Sequence, residues 1–418
     1  MLVARVRAAV APPRVTHLWV KAAAIFLGLR LVSWLLLAQA ADQQVWFPAV
    51  TGPNEDDIDL ALSWDAKWYE RIATGGYPDE LPVGADGRVQ QNPWAFYPVF
   101  PYAVRAVSRV TTLDFATLAP LLALLAGVGA AVVMAQLLVE TLPARTHGPA
   151  LAAVAVWAAF PTSPVLQMAY SESFSMLLLV SFLLVLIRGH WWGAAGLALV
   201  LGLTRPIALP LSVLVVVAVW MRWRDHRVDP QQPIRSGERA AMLGTLAATG
   251  FSGVLWTTIA AVSTGRRDAY PATMTAWRGE ASINVLQPWI QTIEWAFEFH
   301  QREFVLPALG IAIPTLLALV TLIPRVAPGI DLRLRVWSVA YSLYLLAVVD
   351  GGTSIFRYLV PLFPLAVVLV GAHRQRRGEW VSRWWRVRTT FWVVAGIVGQ
   401  VGWIWWLVLF TPPSDYPP

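Results

Sequence analysis

Apolar residues in this chain gather into long runs separated by short basic or aromatic segments, and nowhere settle into the alternation of a half-buried strand. Windows near the twenty residues needed to cross about 30 Å of hydrocarbon recur at 18–40, 115–140, 240–264, 304–324 and 389–411. Shorter apolar runs at 149–163, 173–188, 191–204, 206–221, 336–349 and 358–373 lie between them, several broken by proline or a lone arginine. Broken segments are tolerated where their backbone is buried in protein or lines a cavity. The pattern predicts an all-α integral membrane protein of about eleven transmembrane helices, residues 1–418 forming a single polytopic domain.

Charge gives that count a direction. Arg5, Arg7, Arg14 and Lys21 precede or open the first apolar run, and no small-residue cleavage site followed by a soluble domain is evident, so a retained signal-anchor helix is expected. Putting the N-terminus in the cytoplasm places the basic clusters 5–21, 145, 188, 222–239, 325–335 and 374–388 on that side. They hold 20 of the 32 basic residues; 11 fall outside and Arg30 lies within the first span. The two large polar loops, 42–114 and 265–303, then both face out. No internal repeat, low-complexity tract or separable soluble domain stands out.

Composition narrows the chemistry. Hydrophobic residues make up 57% of the chain and charged residues 14%, which fits a membrane protein. The net charge of +7 comes with no nucleic-acid motif and is spread between the apolar runs, as topology requires. With no cysteine there is no disulfide, thiolate nucleophile or thiolate metal site. Only Lys21 and Lys67 are lysine against thirty arginines, and with abundant Ala, Trp and Pro this points to a GC-rich bacterial genome and a plasma-membrane location.

The first outer loop departs from this background. Between Asp42 and Tyr97 it carries ten acidic and three basic residues. A helix is expected from Asn54, with Glu55, Asp56 and Asp57 at the positive end of its dipole and Gly75-Gly76 as its stop. Asp65 would lie on that helix with Trp68 and Tyr69 three and four residues on, and Ala61 and Ile72 beside it. A carboxylate on an apolar face is costly unless used. Burial would favour its protonated form and a cation at Lys67 or Arg71 its ionised form; a general base and a plain ion pair with Arg71 both fit. Asp57-Ile-Asp59 has the Asp-x-Asp form of nucleotide-sugar enzymes, but acids in a first helical turn are ordinary dipole partners, and capping is the favoured reading.

Glu172 follows a proline-broken stretch, Phe160 to Ser171, close to a membrane boundary, and an ionisable residue at that depth is a functional candidate or an N-terminal helix acid. Arg205 and Arg357 are isolated cations at outward helix junctions, suited to hold a lipid phosphate by a planar fork or to snorkel to headgroups. Arg30, mid-span, must face protein or a cavity; an internal salt bridge and a substrate contact stay equally open. Residues 285–300, with Trp289 and Trp295, have the spacing of an interfacial helix serving as an anchor or as a lid, with His300 at its end.

Several of these stretches together resemble one family. Ser63-Trp64-Asp65-Ala66 with Ile72-Ala73 and Gly76-Tyr77, Ala95-Phe96-Tyr97-Pro98-Val99-Phe100-Pro101, and Ser163-Pro164 with Ala169-Tyr170-Ser171-Glu172 are similar, in order, to motifs of the PIG-V family. That family is the second mannosyltransferase of GPI-anchor assembly, with bacterial relatives in the GT-C superfamily. The resemblance implies a GT-C glycosyltransferase fold, a polyprenyl-phosphate-mannose donor, a lipid, glycolipid or protein acceptor at the outer face, and inversion at the sugar. It makes Asp65 the base and Glu172 its support, with Lys67, Arg205 and Arg357 on the donor phosphate. Trp64, Trp68, Tyr69, Tyr97, Tyr170, Tyr358 and Arg30 would line the substrate cavity. No cofactor or metal is expected, because a fixed cation can stabilise the leaving phosphate. Where the family often has an acid-histidine pair, this chain has Lys67-Trp68. The alternatives are a lipid-linked sugar flippase and a non-catalytic subunit of a glycolipid assembly complex.

Overall fold

A computed structural model describes residues 15–47, 59–143, 147–279, 285–298, 305–349, 352–372, 384–410 and 418. Among them the protein is all-helical, apart from one isolated bridge between Val83 and Val89. Four helices are long and apolar enough to cross a membrane: His17–Ala41, Phe115–Thr141, Ser236–Thr264 and Trp385–Val408. They match four of the five long windows. The fifth, 304–324, yields the shorter helix Val305–Thr321, with Pro314 inside it.

In chain order the helices are α1 (Val15–Ala41), α2 (Asp65–Gly75), α3 (Val99–Thr111), α4 (Phe115–Thr141), α5 (His147–Ala158), α6 (Glu172–Ile187), α7 (Trp191–Gly202) and α8 (Ala208–Val228). There follow α9 (Ser236–Thr264), α10 (Ala269–Arg278), α11 (Gln287–Glu298), α12 (Val305–Thr321), α13 (Leu332–Val348), α14 (Ile355–Tyr358), α15 (Pro364–Val370) and α16 (Trp385–Trp403). The apolar run 358–373 breaks into pieces because Pro361 and Pro364 lack the N–H that continuing turns need. Helix α4 packs against α1 and α6, and α9 packs against α7. The α1–α4 approach is close enough that a Cβ on Gly127 would run into the Phe26 ring.

The helix that carries Asp65 is shorter than expected. Glu55, Asp56 and Asp57 lie outside the described residues, and the helix starts at Asp65. Ahead of it, Asp59 caps a short 3-10 turn, Leu60–Leu62, by accepting a hydrogen bond from the Ala61 amide at 2.8 Å. The Ala169 amide donates to the Ala61 carbonyl at 2.9 Å, docking this turn on the segment that leads to Glu172. The break falls at Trp64, whose φ of 59° is a sterically costly conformation for a bulky side chain. Its indole N–H donates to the Val408 carbonyl at 3.0 Å, and its ring meets Phe410 edge-on, which holds it there. Gly76, at φ 84°, ends α2 as expected.

The two large loops pack on each other. Asn92 donates to Thr273 at 3.0 Å, the Tyr97 and Tyr270 hydroxyls lie 3.2 Å apart, and the Trp256 indole donates to the Trp94 carbonyl at 3.1 Å. Around them Tyr77, Trp94, Tyr97 and Trp256 form an aromatic layer. Helix α11 is more than a surface anchor: Trp289 is buried and donates to the Leu346 carbonyl of α13 at 3.1 Å. The Trp295 side chain and His300 lie outside the described residues.

Candidate active site

Four distant segments bring two carboxylates and two guanidiniums together. Asp65 is the first residue of α2 and Glu172 the first of α6, so the positive ends of two helix dipoles converge on one place. Arg357, on the short helix α14, has its Nη1 2.5 Å from Asp65 Oδ2 and 3.3 Å from Glu172 Oε1. Arg205, in the turn between α7 and α8, donates from Nη2 to the same Glu172 oxygen at 3.0 Å. The Tyr358 ring faces both cations, 4.8 Å from Arg205 and 5.1 Å from Arg357, and the Tyr170 ring lies 5.3 Å from Arg357. Arg205 and Arg357, expected to stand isolated at helix junctions, are thus paired with acids.

Access differs within the cluster. The side chain of Glu172 is 1% exposed, Arg357 7%, Arg205 12% and Asp65 18%. Asp65 is therefore the member best placed to meet a ligand. Three buried polar atoms here have no partner: Glu172 Oε2, Arg205 Nη1 and Arg357 Nε. Buried polar groups are nearly always satisfied, so these leave hydrogen-bonding capacity for an incoming acceptor or donor.

Hydroxyls fix the frame. Tyr69 donates to Ser171 Oγ at 2.9 Å, and Tyr170 donates to the Ser63 carbonyl at 3.3 Å, tying the start of α2 to the start of α6. Burial, reinforced by the charges of Glu172 and Asp65, pushes the Tyr69 phenol well above its ordinary range, so it stays a donor. Arg357 Nη2 approaches Ser354 Oγ at 3.5 Å, and Tyr341 donates to the Tyr358 carbonyl at 2.9 Å. Sequence reasoning missed Tyr341 and its neighbour Tyr344, which lies within electrostatic reach of Arg205. Two tyrosines three residues apart in a largely apolar helix were the available signal.

The remaining candidates lie elsewhere. Lys67 faces Glu70, at 4.0 Å, so among the described contacts it does not join the cluster. Arg71 lies over the Trp68 ring at 4.6 Å and leaves Asp65 to Arg357, against the simple ion-pair alternative. Trp68 also stacks on Phe96 and meets Trp277 edge-on, and Tyr97 belongs to the aromatic layer between the two loops. Among the described residues Arg30 makes no salt bridge, although it lines a groove between α1 and α4 and its Nε has no partner. Its guanidinium donates to the Ser163 and Ala158 carbonyls and, at 2.7 Å, to Ser163 Oγ. Ala158 ends α5, so the cation meets the negative end of that helix dipole.

Among the described residues no group of three His, Asp or Glu could hold a metal. The chemistry on offer is proton acceptance at a part-exposed carboxylate beside two forked cations. No protein-family model, curated protein or solved structure matches this chain.

Proposed function

We propose that the chain is a membrane glycosyltransferase of the GT-C type, moving mannose from a polyprenyl-phosphate donor to a hydroxyl of an acceptor at the outer face. In this reading the short proline-broken helices complete about eleven spans, and the two packed loops form the outer surface of the reaction chamber. The observation that carries it is the Asp65–Arg357–Glu172–Arg205 cluster, with Asp65 its most exposed member.

The acceptor O–H gives its proton to Asp65 as its oxygen attacks the anomeric carbon. The carbon–phosphate-oxygen bond breaks with its electron pair going to the phosphate, and configuration inverts. Charge growing on the leaving phosphate is met by Arg205 Nη1 and Arg357 Nε, the N–H groups that no protein atom occupies. Glu172, which holds both guanidiniums by one oxygen, is a positioning residue. A phosphate drawing Arg357 toward itself would loosen its grip on Asp65, so donor binding readies the base. An apolar groove of about 400 Å³ between α8 and α13, lined by Leu209, Val213, Leu343 and Tyr344, suits the polyprenyl tail leaving the Arg205 side of the cluster.

Purified protein incubated with polyprenyl-phosphate-mannose and a membrane lipid extract should give mass-shifted mannosylated products. Asp65→Asn should insert and fold yet lose about 10²- to 10⁴-fold in rate, the usual contribution of a general base. Near-normal transfer by that variant refutes the assignment, and donor translocation without any product would favour a flippase.

A further inference from the structure

We propose that a second groove, between α1 and α4, is the seat of a lipid with an uncharged, hydroxyl-rich headgroup. It has a volume of about 640 Å³, and neither Asp65 nor Glu172 lines it. Along α1 its lining runs from Leu27 to Asp42, about 22 Å at 1.5 Å per residue. Half of a hydrocarbon core is about 15 Å, so the groove runs the depth of one leaflet and on into the interface. That is the reach of a lipid chain.

The walls and the mouth select different parts of such a molecule. Leu31 and Trp34 on α1 are each 58% exposed, and Leu121 and Leu124 of α4 face them across the cleft, so the groove is apolar and open sideways. At its mouth stand the exposed carboxylates of Asp42 and Asp59, whereas Gln167 sits deeper, against the Arg30 carbonyl and the Trp34 amide. Carboxylates accept hydrogen bonds from hydroxyls and repel phosphate. The groove's cation, Arg30, lies at the deep end and is already engaged by Ser163 and Ala158. An anionic headgroup therefore finds a like charge where it would emerge, and a polyol finds acceptors.

The groove also shares walls with the cluster. Asp59 caps the 3-10 turn that leads through Trp64 to Asp65, and Ala61 of that turn lines the groove while accepting from Ala169, three residues before Glu172. On the transfer reading proposed above, the occupant is the acceptor, entering by a side distinct from the α8–α13 groove.

The test uses the full chain in phosphatidylcholine nanodiscs with a trace of monoglucosyl diacylglycerol bearing a diazirine in one acyl chain. Photo-adducts mapped by mass spectrometry should concentrate on Leu31, Trp34, Leu121 and Leu124. Unlabelled glucosyl diacylglycerol should compete them away by about tenfold or more, whereas phosphatidylglycerol should not. Ala38→Trp, which fills the groove from an exposed position, should remove the adducts and leave polyprenyl-phosphate-mannose binding unchanged. Asp42→Lys should let phosphatidylglycerol compete. Adducts spread over all lipid-facing helices in proportion to exposure, or equal competition by both lipids, would overturn the proposal. The readout is binding: adducts that persist when Asp65→Asn refutes transfer leave the lipid seat standing, and Asp65-dependent transfer with scattered adducts removes the seat alone.

Discussion

Two arginines, Arg30 and Arg357, are almost fully buried, at 2% and 5% exposure, and their surroundings differ in kind. Arg30 is held by backbone carbonyls and the Ser163 hydroxyl, within a net that Gln400 extends by donating to the Ala159 carbonyl and to Ser163 Oγ, each at 3.2 Å. Those partners are dipoles fixed by the chain, and they cannot trade a proton or move to another charge. Arg357 is held by two ionisable side chains, each able to change partner. A buried cation among carbonyls is a staple joining α1 to α5, whereas one among carboxylates can do work. On the proposed reading the contrast separates a structural arginine from a working one, although both lie in apolar helical surroundings, and it can be broken by substituting each in turn.

Of the two arginines, Arg357 should show the larger effect on turnover. Arg357→Lys keeps the charge but loses the fork and the Nε–H, so folding should survive while transfer falls by about 10²-fold or more, the scale of losing one preorganised donor at a charged transition state. Product formation against polyprenyl-phosphate-mannose reads it, and unchanged turnover would mean that Arg357 only braces Asp65. Arg30→Met should do the reverse. It strips the Ser163 carbonyl of its partner and should cost about 1–3 kcal/mol of stability, visible as a lower unfolding temperature in detergent, with activity per folded molecule unchanged. A loss of turnover without a loss of stability would move Arg30 into the reaction.

What could be foreseen along the chain divides the same way. Four of the long spans are legible because length and apolarity are local properties, and the stop of α2 is legible because Gly76 carries its own backbone preference. Asp65 is conspicuous as a carboxylate on an apolar helix face, and Glu172, Arg205 and Arg357 as lone charges at the edges of apolar runs. Their pairing is not legible, since Arg357 meets Glu172 from 185 residues away. The start of α2 is misread for a related reason. Asn54 and the acids after it look like a helix start, yet the docking of Ala61 on Ala169 sets the break at Trp64, and no local pattern announces that contact. Arg30 defeats prediction because backbone carbonyls leave no trace in side-chain spacing.

The smallest effect expected belongs to the scaffold between the two kinds of arginine. Tyr69 packs edge-on against Phe96 and Phe100, and its hydroxyl bridges to Ser171, directly before Glu172. Tyr69→Phe keeps the ring and removes one hydrogen bond, so the loss should be about 1 kcal/mol. Because that bond joins the starts of α2 and α6, the loss should loosen the spacing between Asp65 and Glu172 more than the packing of either helix. The expected signature is a small drop in unfolding temperature with a proportionally larger drop in turnover. Equal losses in both would make Tyr69 ordinary core, and the geometry of the two carboxylates would then rest on Tyr170 and the arginines alone.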